Sequence, residues 1–250
     1  MTLIYLIAFF VILLAAAGTI FFSSKKIRNN YPVTFRKIPA IGKLWRAIGL
    51  SVEDGSRMQV TLGSSDILDP SNASALVGLS ALHRLGQLSS TSDQPPICSS
   101  GDGSFTLLSK DVLRAVSVET NTRELFDPDS GKLTGITPFS YALGVMNEMQ
   151  DPAVKANVLI GNFGTEAGFL SITSEANASY TLAASDSIPA QSIFLATTRD
   201  VLIGEELFAV PAYLAYNPVH VASLRVQDIL RWGIGIALLG ATILKLLGIL

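Results

Sequence analysis

Two long apolar runs bracket the chain, and together they constrain its fold more than any motif inside it. Thr2 to Phe22 carries no charged residue and is almost entirely Leu, Ile, Val, Phe and Ala. A run of that length is enough to cross a hydrocarbon core of about 30 Å. A buried soluble helix would keep polar residues on one face, and none recur here. A cleaved signal peptide would place its positive charges before the run and a small-residue cleavage site after it. Here Lys25, Lys26 and Arg28 follow the run, and Ala15-Ala16-Ala17-Gly18 continues into Thr19-Ile20-Phe21-Phe22, so a retained anchor is expected.

Trp232 to Leu250 forms the second run, broken only by Lys245, which can snorkel to the interface. Arg225 and Arg231 precede it. Both flanks of the middle region are therefore the positive sides of their helices. The positive-inside rule then predicts a multi-pass membrane protein, its central domain cytoplasmic and both termini outside. The expected layout is an N-terminal anchor over 1–24, a basic juxtamembrane segment over 25–50, an α/β domain over 51–224 and a C-terminal transmembrane helix over 225–250.

The middle region can bury a core. Hydrophobic residues make up 49% of the chain and charged residues 15%, and 51–224 is near the usual single-domain size. Net charge is −2, yet 25–46 holds Lys25, Lys26, Arg28, Arg36, Lys37, Lys43 and Arg46 with no acid among them. Ile38, Ile41, Leu44, Trp45 and Ile48 recur there at helical spacing. Two readings stay open: a basic amphipathic helix on an anionic leaflet, or a topology-setting linker with a core-packing helix. Nucleic acid is not an expected partner, because the domain itself is not basic. A single cysteine, Cys98, rules out an internal disulfide.

Five short β-compatible runs follow: Gln59–Asp66, Pro96–Asp102, Ala156–Gly161, Tyr180–Asp186 and Phe194–Asp200. Helical periodicity is read over Ala75–Leu88 (after the cap candidate Ser71), Phe105–Val116, Tyr141–Met149, Thr165–Ser174 and Val201–Leu214. Strands alternating with helices predict βαβ units, and apolar strands without polar alternation predict a sheet covered on both faces. The expected fold is α/β: a three-layer, mostly parallel, Rossmann-like sheet between two transmembrane helices.

In such a sheet ligands bind outside the strand C-termini. The candidate ligand-binding residues there are Ser64, Ser65, Ser99, Ser100, Gly161, Gly164, Thr165, Ser185 and Thr197. Backbone N–H groups at these turns could take a small anionic ligand, but Ser, Thr and Asp are also ordinary helix caps. Gly161 to Gly168 is the best phosphate-loop candidate, yet it fits neither G-x-G-x-x-G nor G-x-x-x-x-G-K-[ST]. Its glycines are expected to serve the turn and close packing.

Catalytic constellations are thin. His83 and His220 are the only histidines, so no His-rich metal site is available. Cys98 stands at a strand end but is expected to be a buried residue. Glu205-Glu206 and the turn Asp127-Pro-Asp129-Ser-Gly131 are read as surface features. No catalytic residue, metal ligand or cofactor follows from these residues.

Val60–Gly63, Val158–Ala167 and Ile203–Leu214 resemble an uncharacterised family of bacterial membrane proteins, a domain of unknown function found in Chloroflexi-like bacteria. The likeness spans most of 50–230. It implies prokaryotic origin and the anchored layout, and carries no catalytic residue. Two functions are expected: non-enzymatic assembly of a homo-oligomer on the bilayer, helped by the hydrophobic segment Phe208–Leu214, or a membrane-tethered domain for a small ligand or nucleotide, possibly an enzyme.

Overall fold

A computed structural model describes residues 2–24, 35–69, 72–177, 179–215 and 217–246. They fall into two compact units, one of Met1–Arg36 with Ala215–Leu250 and one of Lys37–Leu214.

The first unit is a helix pair. Helix α1 spans Thr2–Ser23. Its partner, the last helix of the chain, runs over Pro218–Leu246 and so begins well before the apolar run at Trp232. Gly18 lets the two approach, since a Cβ there would stand 3.0 Å from Val226 Cγ2. Ile4–Ser23 has a mean hydropathy of 2.6 and Pro218–Leu246 one of 1.6, and both are long enough to cross a bilayer core. Their outer residues, among them Phe9, Leu13, Trp232 and Leu239, are exposed, which suits a lipid surrounding. Lys25, Lys26 and Arg28 lie outside the described residues.

The second unit carries the sheet. It opens with α2 (Pro39–Glu53), where Ile41, Leu44, Ala47 and Ile48 recur at helical spacing and are buried. Those side chains belong to the same apolar cluster as Val60, Leu82 and Val158, so the helix packs into the core. In chain order there follow β1 (Arg57–Gly63), α3 (Ala73–Leu88), β2 (Ile97–Ser100), α4 (Gly103–Glu119), a 3₁₀ turn (Arg123–Leu125) and β3 (Gly131–Leu133). Next come α5 (Pro138–Met149), β4 (Val154–Asn162), α6 (Ala167–Ala176), β5 (Tyr180–Ser185), α7 (Ile188–Thr197), β6 (Asp200–Ile203) and α8 (Glu206–Leu214). The last helix, Pro218–Leu246, is α9.

Helix starts follow their sequence signals. Asp102 caps α4 by accepting from Ser104 N and Phe105 N at 2.8 and 3.0 Å. Thr137 and Ser140 form a capping box on α5, with Pro138 in its first turn. Ser71 lies outside the described residues.

The sheet has six strands in the order β3-β2-β1-β4-β5-β6, every pair parallel. Side chains from α2, α3, α4 and α8 cover one face; α5, α6 and α7 cover the other, where Tyr141, Leu159, Phe163 and Phe194 meet. This is a doubly wound three-layer sheet. Its strand order reverses between β1 and β4, the point where such sheets open a crevice.

Three elements differ from expectation. Phe194–Asp200 is not a strand: α7 occupies Ile188–Thr197, with Ala190 and Phe194 buried four residues apart, and the strand is Asp200–Ile203. The helix expected over Val201–Leu214 therefore splits into β6 and α8 at Gly204, whose φ of +60° makes the turn. Gly131, expected at the end of a loop, begins β3; three residues are too few to show a period.

Candidate functional site

Two glycines shape the switch point between β1 and β4. Gly63 has φ of +88°, and a Cβ there would overlap the Asn162 carbonyl; one on Gly161 would overlap the Leu62 carbonyl. The pairing also slips register between Thr61 and Gly63. These glycines therefore let two strands close on each other. Gly63 N donates to Tyr141 Oη at 3.0 Å, and Gly101 N to Gly63 O at 3.0 Å. Burial pushes the Tyr141 phenol well above its ordinary value, so it stays a neutral brace.

Glu166 fills the turn itself. It is 2% exposed, and its Oε1 accepts from Gly164 N at 2.8 Å and from the Ser64 hydroxyl at 3.1 Å. Those are the donors an incoming anion would need at this turn, and a carboxyl already holds them. Replacing Glu166 with Ala is expected to cost about 2 kcal/mol, because two poorly hydrated donors lose their acceptor; the urea unfolding midpoint checks it.

Other candidates divide by place. Ser185 Oγ accepts from Phe163 N at 3.4 Å and Ser187 N at 3.2 Å, and Asn162 Nδ2 donates to Asp186 Oδ1 at 3.0 Å. Ser65 Oγ is buried without a hydrogen-bond partner among the described residues, and Thr165 is exposed. Ser64, Ser65, Gly161, Gly164, Thr165 and Ser185 thus gather around the crevice. Ser100 ends β2 and bonds Thr106 Oγ1 at 2.6 Å, anchoring α4. Ser99 is fully buried, accepting from Gln59 Nε2 at 3.0 Å. Thr197 stands at the opposite edge of the sheet: it closes α7, where its hydroxyl bonds Ile193 O at 2.8 Å, because the strand expected there is a helix.

The profile of a family described as Domain of unknown function (DUF6754) matches residues 3–250. The chain belongs to this family. The match takes in both apolar helices, further than the likeness over 50–230. No curated protein and no solved structure matches the chain.

In this DUF6754 protein the single thiol is buried, while both imidazoles reach the surface. Cys98 is buried in β2, and burial pushes its thiol up to about 12 against a weaker opposing bond from Ser109. Since the thiolate is the nucleophile, the folded protein is expected to resist maleimide at pH 7 and to react once unfolded in urea, as read by mass. His83 Nε2 lies 3.2 Å from Glu119 Oε2 on a half-exposed surface. A hydrogen bond from Gln87, then His83, draws the Glu119 carboxyl below its ordinary range. His220 is exposed on α9. Asp127 Oδ1 accepts from Asp129 N at 2.8 Å, an ordinary turn. No cluster of three or more His, Cys, Asp or Glu that could hold a metal occurs among the described residues.

The outer face of α5, α6 and α7 is unlike the rest. Phe139 and Leu143 of α5, Phe169 and Ile172 of α6, and Ile188 and Leu195 of α7 are exposed. Phe139 and Phe169 meet edge to face with centroids 6.1 Å apart. Glu148 and Glu175 are the only charged residues in these three helices, and Glu148 is paired with Lys132 at 2.7 Å.

Proposed function

We propose that this DUF6754 protein is a non-enzymatic assembly module of a bacterial cell membrane, held by α1 and α9, whose α/β domain associates with further copies of itself through the face of α5, α6 and α7. The observation that carries this reading is that face, rich in exposed aromatic and aliphatic side chains and nearly free of charge. Contiguous apolar patches on a soluble surface mark interaction sites, and interface cores are enriched in aromatics and depleted of charge. A neutral face offers no electrostatic complement to a charged partner, but it matches another copy of itself across a two-fold axis.

Size supports the same reading. The three helices have 12, 10 and 10 residues. At about 1.5 Å per residue and 10 Å between axes, they present roughly 500 Å² per copy in projection. Two copies would bury about 1,000 Å², the lower bound for a specific interface. A ligand in the β1–β4 crevice would first have to displace Glu166. The charges flanking the apolar runs favour a cytoplasmic domain with both termini outside.

Native mass measurement on the full chain extracted in a non-ionic detergent tests the proposal. A dimer or higher even oligomer is the expected result, and a strictly monomeric species overturns it.

A further inference from the structure

The opposite edge of the sheet, at the strand N-termini, carries two adjoining clefts of about 540 and 610 Å³ that share Lys43 and Tyr180. Volumes of this size are those of small-molecule sites. The larger cleft sets cations against an apolar floor. Lys43 and Arg46 project from α2 and Lys155 from β4, while Ala47, Leu50 and Pro152 supply apolar lining.

The charges are unequally engaged. Lys43 is bound to Asp200 at 2.7 Å. Arg46 and Lys155 form no ion pair among the described residues, and both are exposed. Asp54 is the one acid in the lining. Ser56, also in the lining, holds a hydroxyl oxygen closed off from solvent without a hydrogen-bond partner among the described residues. Within the described part of the basic run, α2 packs its apolar side into the core, and Lys43 and Arg46, three residues apart, line the cleft.

We infer that this cleft between α2 and β4 binds a phosphate group carried by a partly apolar molecule, with Arg46 and Lys155 taking the phosphate, and Leu50 and Ala47 meeting the apolar part. A guanidinium offers a planar fork of donors matched to phosphate, and an ammonium adds a mobile point charge. The chemistry is the same whether the phosphate is soluble or a lipid headgroup. The inference is independent of the assembly face, which lies on other helices.

The test uses the full chain in an uncharged maltoside detergent, with thermal unfolding followed against added inorganic phosphate, phosphatidylglycerol mixed micelles and phosphatidylcholine mixed micelles. A rise in Tm with phosphate identifies a soluble source; a rise with phosphatidylglycerol alone identifies a headgroup. Either supports the site when it disappears in the Arg46→Gln/Lys155→Gln variant and persists in Arg114→Gln, a change at an exposed position of α4. Each cation removed is expected to weaken binding about tenfold, the cost of a charge-assisted hydrogen bond. No rise with either anion, an equal rise in the double variant, or an equal loss in Arg114→Gln overturns the site.

Discussion

Replacing Ile172 with Glu is expected to leave the fold intact and to break the oligomer. Ile172 is 62% exposed and sits on α6, the middle helix of the α5–α7 layer, so its own packing contributes little to the monomer. Exposed substitutions usually change stability by no more than about 0.5 kcal/mol. In an isologous interface the same position is buried twice, once from each copy. An unpaired carboxylate carried into such a contact costs about 3 kcal/mol or more, which weakens association at least a hundredfold. Leu107→Glu is the control: Leu107 is 70% exposed, but on α4 in the opposite layer, and its native mass should not change. An Ile172→Glu protein that keeps the native assembly would remove this face from consideration.

The sequence shows why such a face is hard to foresee. In α6, Ala167, Leu170 and Ser171 are buried while Phe169 and Ile172 are not. The buried side of this helix carries Ser171, Thr173 and Ser174 while Phe169 and Ile172 face outward, so hydrophobic periodicity does not point to its core side. Helix α2 is the opposite case: its lysine and arginine residues interrupt Ile41, Leu44 and Ile48 cleanly, and the buried face follows from spacing. The strands read well where they were apolar runs ending in Ser or Gly, as at β1, β2, β4 and β5. The two edge strands leave a weaker trace: β3 has only three residues, and the apolar stretch before β6 belongs to α7.

The crevice was legible in outline and not in content. Strand ends near Ser64, Gly161 and Ser185 were placed on one edge by the βαβ pattern. Nothing in Gly164-Thr165-Glu166 distinguishes a solvent-facing acid from one folded back onto Gly164 N and Ser64, a residue 102 positions earlier. The same holds for Tyr141, read as an apolar position of α5, whose hydroxyl braces Gly63 across the sheet. Long-range polar partners of this kind leave no periodic trace.

Gly161→Ala should be among the most damaging single changes in the domain, although Gly161 and Gly168 bound one and the same glycine-rich turn. A Cβ at Gly161 overlaps both the oxygen and the carbon of the Leu62 carbonyl. Those atoms belong to the backbone of β1, at the centre of the sheet, so no side chain can swing aside to relieve the overlap. The strands must part where Val60, Leu62, Val158 and Ile160 are packed. Overpacking a core costs about 1–3 kcal/mol when side chains can shift; a backbone clash between central strands should exceed that, at roughly 4 kcal/mol, much of the 5–15 kcal/mol that holds a typical domain together. Gly168→Ala is the internal contrast. Its Cβ would meet Ile193 Cγ2 at an ordinary 3.6 Å, in the first turn of α6, where alanine favours the helix by up to about 1 kcal/mol. Urea unfolding of the two variants should therefore move in opposite directions. If the turn existed to cradle an anion, Gly161→Ala would lower ligand affinity while leaving the unfolding midpoint of the unliganded protein near the native value; the geometry of Leu62 requires the midpoint itself to fall.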